Sequence, residues 1–473
     1  MKNYNLHFLN HTCFLIEHEE WLLLLDPWPT SAISFDGWLS NPPCFLNDKI
    51  LSAFINGYNA SNKNKLGILV SHGHDDHCDD SFLKSLSPNI EFFIPKYNSL
   101  GVKKRISSSG FNNIKEIPTS AKSQIEFGPF KITASLANFT AEHDDDNAVI
   151  GIFTDKYSFI HANDCSIPFP NYLIDQLKDD VKGSPIKYFA SQTNRANCWP
   201  HNYPQIKEDL SKGEFDNLVK KSITKTIQSA LDNANHINAD HFISYGGYTA
   251  AIPLLQQNPP SKQFLPTPNN IRELDLNYQN IKLCEAVPGD TIETLTSLVN
   301  KPFWTRLSSL ETISQHFLDN YANTKHEILP TKYYREDMMS EKILFESIMS
   351  YMEMFNEFLL RNFEGKLPKD LIDKTFRITV NDLNKSITIK LGGEILKNGQ
   401  EVKHPNKEMV IDTAQARALV TGKMNFESFY VGFNGIFKRN PVDVHNVTLI
   451  GFLQKFAYVY QKRLVPDSLK QLA

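Results

Sequence analysis

The segment His72-Gly73-His74-Asp75-Asp76-His77 places three imidazoles and two carboxylates within six residues. Neutral imidazoles and carboxylates at this density are ligands that Zn²⁺ and Fe²⁺ prefer. The apolar run at residues 67–70 predicts a buried strand that ends at this segment, and a helix over residues 81–86 is expected to begin near Asp79. Because open sheets bind ligands at the carboxyl ends of strands, the sequence predicts a metal site here rather than an ordinary polar turn.

Length and composition limit the remaining possibilities. A chain of 473 residues is too long for one ordinary core, so two domains are expected. With 41% hydrophobic and 22% charged residues the composition is that of a soluble globular protein, and the net charge of -4 argues against a nucleic-acid-binding function. No apolar run is long enough to span a membrane, and the N-terminus lacks a signal-peptide pattern. The six cysteines form no CxxC pair, which favours free thiols and a cytoplasmic protein.

Further candidate ligands lie beyond the first motif. His143 lies in an acidic loop between two predicted strands, where it would complete a set of three imidazoles. Asp164 follows a predicted strand at residues 157–161 and could bridge two ions through its carboxylate. Asp26 comes directly after a predicted strand at residues 21–25, and it could either orient a metal-binding histidine or cap the following loop.

The spacing of His72, His74, Asp76 and His77 resembles the metal motif of the metallo-β-lactamase fold superfamily. The resemblance implies an α/β fold, with an αββα sandwich over residues 1–295 followed by a C-terminal α+β domain over residues 296–473. Many members of that superfamily carry a final metal-binding histidine at the end of the last strand of the layer. In this sequence that position is Tyr245, and the second metal position therefore departs from the superfamily pattern.

A closer resemblance is to the catalytic portion of CMP-N-acetylneuraminate hydroxylase and its bacterial relatives. The matching stretches are Asp26-Pro27-Trp28, Gly37-Trp38 with Pro42-Pro43, residues 71–77, His143 with Asp146, Asn163-Asp164-Cys165 and Tyr245-Gly246-Gly247-Tyr248. Those hydroxylases are iron-dependent oxygenases, so the resemblance implies an oxygenase. A Rieske cluster needs both Cys-x-His and Cys-x-x-His pairs, and the sequence does not contain that set. Electrons would then come from a separate protein or pass through a dinuclear iron site.

The expected centre holds two divalent ions, with iron favoured and zinc or manganese possible. His72, His74 and His143 would hold one ion, Asp76 and His77 the other, and Asp164 would bridge them; Asp76 and Asp164 are the expected catalytic carboxylates. The same ligands would also suit a hydrolase of lactones or phosphodiesters, in which the ions activate water. A metal-stabilised protein that binds a lipid is a third possibility.

Four residues are candidate substrate contacts. His11 could reach the site or bond a backbone carbonyl, and Trp38 belongs to a loop that either forms a ligand wall or packs internally. Arg195 could pair with a substrate carboxylate or phosphate, or form a structural ion pair. Tyr245 is the fourth candidate, because it stands where the final histidine is missing.

The C-terminal part has its own pattern. A long helix over residues 342–361 has a wide apolar face and lies in a methionine-rich stretch, which favours a core helix over an adaptable apolar binding surface. Strands are predicted at residues 376–380, 386–391, 409–412 and 428–432, with a helix at residues 414–420. This order weakly resembles sterol-carrier-type lipid-binding domains, which implies a small-molecule or lipid-like substrate.

Overall fold

The computed structural model describes residues 4–29, 32–33, 38–40, 48–97, 100–120, 123–136, 148–165, 168–193, 200–201, 203–251, 264–278, 280–293, 298–300, 339–396, 402–430, 432, 435–440 and 447–470. The strands, in chain order, are β1 (Tyr4–Asn10), β2 (Cys13–His18), β3 (Trp21–Leu25), β4 (Ala32–Ile33), β5 (Trp38–Ser40), β6 (Leu66–Leu69), β7 (Glu91–Pro95), β8 (Ile114–Ile117), β9 (Ile125–Phe127), β10 (Phe130–Leu136), β11 (Ala148–Phe153), β12 (Tyr157–His161), β13 (Ile186–Gln192), β14 (His241–Tyr245), β15 (Thr249–Ala251), β16 (Lys282–Leu283), β17 (Thr291–Glu293), β18 (Leu298–Asn300), β19 (Thr375–Val380), β20 (Lys385–Lys390), β21 (Ile395–Leu396), β22 (Lys407–Ile411) and β23 (Ile436–Arg439).

The α-helices, in chain order, are α1 (Asp48–Ser61), α2 (Asp80–Leu83), α3 (Gly101–Ser108), α4 (Asn171–Val181), α5 (Pro204–Asp209), α6 (Lys212–His236), α7 (Pro268–Arg272), α8 (Glu341–Asn362), α9 (Thr413–Val420), α10 (Phe426–Tyr430), α11 (Val447–Val459) and α12 (Asp467–Lys470). A short 3₁₀ helix covers Asn381–Leu383, and a π-helical turn covers Tyr460–Leu464.

Within the described residues the strands form four sheets. The first has the order β18-β17-β1-β2-β3-β6-β7-β8, and the second has the order β16-β14-β13-β12-β11-β10-β9. A small three-stranded sheet has the order β15-β5-β4. The C-terminal part forms a five-stranded sheet in the order β21-β20-β19-β22-β23. Each large sheet combines an antiparallel half with a parallel half, because β3, β6, β7 and β8 run parallel, as do β12, β13, β14 and β16.

The two large sheets pack face to face with helices outside them. Phe14 on β2, Ile68 on β6 and Ile132 on β10 are fully buried in one cluster that contains residues of both sheets. On the far side of the second sheet, Leu177 of α4 and Leu231 of α6 share another buried cluster. Each such side chain contributes roughly 1.5–3 kcal/mol through burial. The arrangement confirms the predicted α/β fold with its αββα layers.

The carboxyl ends of the parallel strands meet at one edge of the sandwich. Leu25 at the end of β3 pairs with Leu69 at the end of β6. On the other sheet, His161 at the end of β12 pairs with Ala190, and Tyr245 ends β14. The loops that follow these strands carry the polar side chains that the sequence singled out.

The C-terminal sheet has a core of its own that also includes side chains from earlier in the chain. Helix α8 buries Leu344, Ile348, Met352, Phe355 and Leu359, as expected for a core helix. Trp38, Tyr203, Ile206 and Ala251 belong to the same buried cluster. Polar contacts join the two parts as well, since Lys407 Nζ donates to the Tyr203 hydroxyl and the Arg439 backbone N–H donates to Gln205 Oε1 at 2.9 Å.

The domain boundary near residue 295 stays a prediction. Strands β17 and β18 lie on either side of that residue and pair with each other, while β17 also pairs with β1. The first sheet therefore continues to Asn300 at least.

One predicted element is wrong. A strand was expected at residues 428–432, but residues 428–430 belong to helix α10, which covers Phe426–Tyr430. Asn425 explains the difference, because its Oδ1 accepts a hydrogen bond from the Ser428 backbone N–H at 3.0 Å and the Asn425 N–H is 3.3 Å from Ser428 Oγ. This reciprocal capping favours a helical start. The apolar residues Phe426, Phe429 and Tyr430 then follow a helical spacing, not an alternating one.

Among the helices that the structure describes, none combines the length and the apolar character that crossing a membrane would require.

Candidate metal centre

The loop after β6 carries most of the candidate ligands and is closed by a helix cap. Residues 70–79 connect β6 to α2, and the Asp79 Oδ1 accepts hydrogen bonds from the backbone N–H groups of Ser81 at 3.0 Å and Phe82 at 3.1 Å. The helix begins one residue after Asp79, as predicted, because this carboxylate satisfies two N–H groups of its first turn. The cap fixes one end of the loop while β6 fixes the other.

His72, His74 and Asp164 form one donor set. Each offers an atom, and the three atoms lie within 4.8 Å of one another. His72 Nε2 lies 2.8 Å from His74 Nδ1, and these two nitrogens are 3.6 and 3.7 Å from Asp164 Oδ2. His72 is fully buried, whereas His74 is partly exposed, so the set faces an accessible region.

His77 approaches the other oxygen of the same aspartate and also faces Asp76. His77 Nε2 lies 3.4 Å from Asp164 Oδ1 and 3.5 Å from Asp76 Oδ2. This nitrogen is buried and has no hydrogen-bond partner among the described residues. A buried nitrogen without a partner, facing two carboxylate oxygens, fits a divalent cation, since a metal would satisfy all three atoms. Asp164 therefore lies between two donor sets, one at each of its oxygens.

Asp26 contacts Nδ1 of His77, the ring nitrogen that does not face Asp76 and Asp164. It is fully buried, and its Oδ2 lies 2.8 Å from His77 Nδ1, 2.7 Å from His161 Nε2 and 2.6 Å from Ser71 Oγ, while Oδ1 accepts from the Ser71 backbone N–H at 2.7 Å. The bond to Nδ1 leaves Nε2 of His77 as the nitrogen that faces Asp76 and Asp164. The expected role of Asp26 in orienting a candidate metal-binding histidine agrees with this contact.

The electrostatics follow from burial and charge pairing. Burial alone would lower the pKa of His77, but the surrounding carboxylates of Asp76, Asp26 and Asp164 raise this pKa well above its usual value. Burial would raise the pKa of Asp164, but His77 and His74 hold it well below its usual range. The pKa of His72 is well below its usual value because of burial and the neighbouring His77 and His74. Neutral His72 and ionised Asp164 are the forms that bind metal ions.

Side chains from other elements support the loop. Arg105 of α3 donates through Nε to Asp80 Oδ1 at 2.6 Å, through Nη2 to Asp75 Oδ1 at 2.8 Å, and through Nη1 to the Gly73 carbonyl oxygen. Tyr97 donates its hydroxyl to the Ser71 carbonyl oxygen. These contacts fix the backbone on both sides of His72 and His74.

The predicted substrate contacts fall in different surroundings. His11 has a left-handed backbone with φ of 30°, and its Nε2 lies 3.1 Å from Asp76 Oδ2, so it is beside the donor sets. Trp38 is buried in the C-terminal cluster, and Tyr245 is fully buried with its ring stacked on His161 at 5.1 Å. A role for any of the three in binding substrate stays a prediction. Two other predicted residues, His143 and Arg195, lie outside the described residues.

Three residues that support this candidate centre were not predicted from the sequence: Ser71, His161 and Arg105. His161 could have been found, because it ends the strand that precedes Asp164 and is a histidine in an otherwise apolar segment. Arg105 gave no local signal, since it lies 25 residues after Asp80 in a helix whose pattern is that of a solvated surface element.

Residues 5–178 match the family model described as "Beta-lactamase superfamily domain". No curated protein matches the chain.

Several solved structures resemble the chain at low identity. A metallo hydrolase from the archaeon Ignicoccus hospitalis is 14% identical, with 63% of this chain and 99% of that chain covered and a TM-score of 0.37. A diiron β-hydroxylase from Streptomyces venezuelae is 14% identical over 52% of this chain and 45% of that chain, with a TM-score of 0.33. An isothiocyanate hydrolase from gut bacteria of Delia radicum is 14% identical over 61% of this chain and 98% of that chain, with a TM-score of 0.37.

The family match covers β1 to β12 and α4, and it therefore contains the loop after β6 as well as Asp26, His161 and Asp164. Residues 5–178 match the β-lactamase superfamily domain, and the fold built around them is the metallo-β-lactamase fold.

Proposed function

We propose that the protein is a metal-dependent oxygenase with a dinuclear centre in which iron is the preferred metal. The observation that carries the proposal is the convergence of His72, His74 and Asp164, whose donor atoms lie within 4.8 Å of one another. Two imidazoles and one carboxylate are the donor set typical of non-haem iron oxygenases, which leave further coordination positions open for oxygen and substrate.

The second position would be held by Asp76 and His77, with Asp164 between the two ions. The partnerless His77 Nε2 and its two carboxylate neighbours at 3.5 and 3.4 Å support this assignment. His143 would complete the first set. Zinc or manganese would also accept nitrogen and oxygen donors of this kind. When bound, iron would supply the redox chemistry that activates O₂ for insertion into a substrate.

The protein's own residues would prepare the site. Asp26 would keep His77 in the tautomer and ring orientation that direct Nε2 to the centre. The His11–Asp76 pair, with 3.1 Å between Nε2 and Oδ2, would move a proton at the edge of the centre. The Arg105 contacts would hold the loop in place, because a guanidinium can satisfy several acceptors of fixed geometry.

Substrate and partner follow from the sequence. We propose a small organic or lipid-like substrate that approaches from the partly exposed side of His74. Because the sequence lacks the paired Cys-x-His and Cys-x-x-His ligands of a Rieske cluster, we propose a separate protein as the electron donor.

A hydrolase is the second candidate, and the position of Asp164 favours it. An aspartate with one oxygen towards each donor set is also what a two-metal hydrolase requires to hold two ions around an attacking water. In that case Asp76, which lies beside His11, would accept the proton from the water.

The experiment that separates the two loads the metal-free protein with Fe²⁺ or Zn²⁺ under anaerobic conditions. Metal content, absorption spectra and O₂ uptake are measured with and without a chemical reductant, alongside turnover of generic lactones and phosphodiesters. The oxygenase proposal expects two irons per chain, a visible spectrum that changes on exposure to O₂, and reductant-dependent O₂ uptake. Turnover of a lactone or phosphodiester without O₂, by protein that binds zinc alone, would replace it with the hydrolase proposal.

The matched variants are Asp164→Asn and Asp155→Asn. Asp155 also pairs with a histidine, His18, at 3.1 Å, but this pair lies among residues away from the candidate ligands. Asp164→Asn should bind fewer ions, whereas Asp155→Asn should keep the full metal content. Equal metal content in both variants would remove Asp164 from the centre.

A further inference from the structure

A cavity lies at the opposite end of the strands that lead to the candidate metal centre. Its volume is about 420 Å³, and Trp21, Leu66 and Glu91, the first residues of β3, β6 and β7, line it. The candidate metal ligands follow the carboxyl ends of β3 and β6. A five-residue strand extends about 13 Å, so the length of the strands separates the cavity from the candidate ligands.

Side-chain amides dominate the lining of this cavity. They belong to Asn59, Asn64, Asn89 and Asn113. Asn59 is only 7% exposed, and its Nδ2 donates to Asn89 Oδ1 at 3.0 Å, so it orients the amide of Asn89 and leaves the Asn89 amino group available as a donor. The side chains of Asn64 and Asn113 are exposed and form no hydrogen bond with the described residues. Three amides can therefore donate and accept within one cavity.

An aromatic ring forms part of the wall and is held rigidly. Trp21 packs against Gly128, where an added Cβ would overlap the indole ring, and its edge-to-face contact with Phe127 has a centroid distance of 5.1 Å and an interplanar angle of 89°. Glycine at position 128 also has a left-handed backbone, with φ of 55°. The turn between β9 and β10 thus sets the orientation of the indole.

The charged groups of the wall nearly cancel. Lys115 Nζ lies 2.6 Å from Glu91 Oε1, and Glu126 adds one further carboxylate. With this balance the cavity has no strong preference for an anion such as a phosphate. Groups that both donate and accept hydrogen bonds match the amides better, and hydroxyls have that property.

We propose that this cavity is a binding site for a neutral, hydroxyl-rich ligand of the carbohydrate class. The apolar face of a sugar ring would lie on Trp21, and its hydroxyls would bond to Asn64, Asn89 and Asn113. A volume of about 420 Å³ lies within the range of small-ligand sites, roughly 300–1,000 Å³. The site is independent of the metal, because it lies at the other end of the strands.

The test titrates the full-length protein with glucose, N-acetylglucosamine and maltose, and with AMP as a charged probe. Binding is followed by calorimetry and by saturation-transfer NMR, before and after removal of metal with a chelator. At least one sugar should bind saturably with a Kd of about 1 mM, and chelation should not change this value. The double variant Asn64→Gly/Asn113→Ala should raise the Kd at least about tenfold, since it removes two partners of the ligand while glycine keeps the left-handed backbone at position 64.

The control is Asn112→Ala, which removes an exposed amide next to Asn113 that does not line the cavity. It should bind sugar as the unaltered protein does. Neither variant should change the thermal unfolding midpoint by more than a few degrees, because glycine accommodates the left-handed backbone of position 64, where φ is 64°, and the side chains of Asn112 and Asn113 form no hydrogen bond with the described residues. Absence of saturable sugar binding up to about 50 mM, preference for AMP over all three sugars, or an unchanged Kd in the double variant would each overturn the proposal.

Discussion

Asp26 accepts hydrogen bonds from Ser71 and lies within hydrogen-bond distance of His77 and His161, so one carboxylate joins the loop after β6 to the end of β12. Burial would raise the pKa of Asp26, but His77 and His161 hold it far below its usual value. The carboxylate is therefore ionised at neutral pH. Its charge compensates the imidazoles that face it.

We predict that Asp26→Asn weakens metal binding by roughly 10- to 100-fold. An amide accepts through one atom only, and its amino group would face the donors of His77 and His161. Competition with a chromophoric chelator measures the affinity for Zn²⁺ and Fe²⁺. Asp155→Asn is the control, because it alters another carboxylate–histidine pair. Equal affinities in the two variants would contradict the assigned role.

Arg105 is the second residue with a testable role. We predict that Arg105→Lys lowers the free energy of unfolding by about 1–2 kcal/mol and weakens metal binding several-fold, because an ammonium cannot reach Asp75, Asp80 and the Gly73 carbonyl oxygen together. Urea unfolding and chelator competition measure the two effects.

Lys103→Met on the same helix is its control. That lysine pairs with Glu116 at 2.7 Å and is 39% exposed, so its loss should change stability by less than about 0.5 kcal/mol. If Arg105→Lys changed stability and metal affinity no more than Lys103→Met does, the contacts of Arg105 would have no part in holding the loop.

Asp180 gives a pH-dependent prediction. Burial, followed by the charge of Asp179, raises the pKa of Asp180 to about 6. Because the folded-state pKa is above the usual value, the stabilising protonated form is fully present below about pH 4 and is lost as pH rises through 6. Asp180→Asn should thus stabilise the protein by about 1 kcal/mol at pH 7.5, after allowance for partial exposure, and have little effect at pH 4.

Urea unfolding at the two pH values tests this, with Asp175→Asn as the control on the same helix, where the side chain is exposed. A gain for Asp180→Asn that is the same at both pH values would show that its carboxyl group does not titrate as described.

Among the secondary-structure elements, the bounds of strands were predicted best where an apolar run ends in a polar or glycine-rich segment. The bounds of β3 and β12 agree with the predictions because nearly every residue of these two runs is buried. The short helix α10 was missed, since its aromatic residues also have high strand propensity and only the Asn425–Ser428 capping decides between the two.

The candidate metal centre could be predicted only in part. The proximity of His72, His74, Asp76 and His77 was predictable because one loop carries them at ligand spacing, and their role as ligands stays a prediction. Asp164 and Asp26 were predictable from their positions after strands. Arg105 and His161 were not, because their contacts with the loop depend on how helix α3 and the second sheet pack, and local sequence spacing does not encode this.

The turn between β9 and β10 provides a prediction at this scale. Gly128→Ala should destabilise the protein by at least about 2 kcal/mol, because the added Cβ combines a left-handed backbone with overlap of the Trp21 ring. Gly183→Ala is the matched control, with φ of 82° and open space around the position, and it should cost only about 1–2 kcal/mol. Thermal unfolding compares them. Equal losses would mean that Trp21 moves aside freely, which would also remove the rigid wall proposed for the cavity.

For the molecule as a whole, the shared cluster of Trp38, Tyr203, Ile206 and Ala251 with the C-terminal core is the decisive feature. We predict that a fragment of residues 1–300 aggregates or binds a hydrophobic dye, because these four side chains, each at most 5% exposed in the full chain, would lose their packing partners. Light scattering and dye fluorescence measure this. A monodisperse fragment that binds no dye and keeps the metal affinity of the full chain would contradict the prediction.

The core that the N-terminal and C-terminal parts of the chain share has an evolutionary consequence. Strand β5, which carries Trp38, pairs with β15, and the Ser40 hydroxyl of β5 accepts a hydrogen bond from Asn10 Nδ2 at 3.3 Å, one residue before His11. A gene fusion that added or removed the C-terminal part would therefore have to rebuild strands β5 and β15, which lie next to the candidate metal centre. The two halves of this gene should accordingly be inherited together, and recombinants that exchange one half between diverged homologues should function only when β5, β15 and the segment around Tyr203 are exchanged with it.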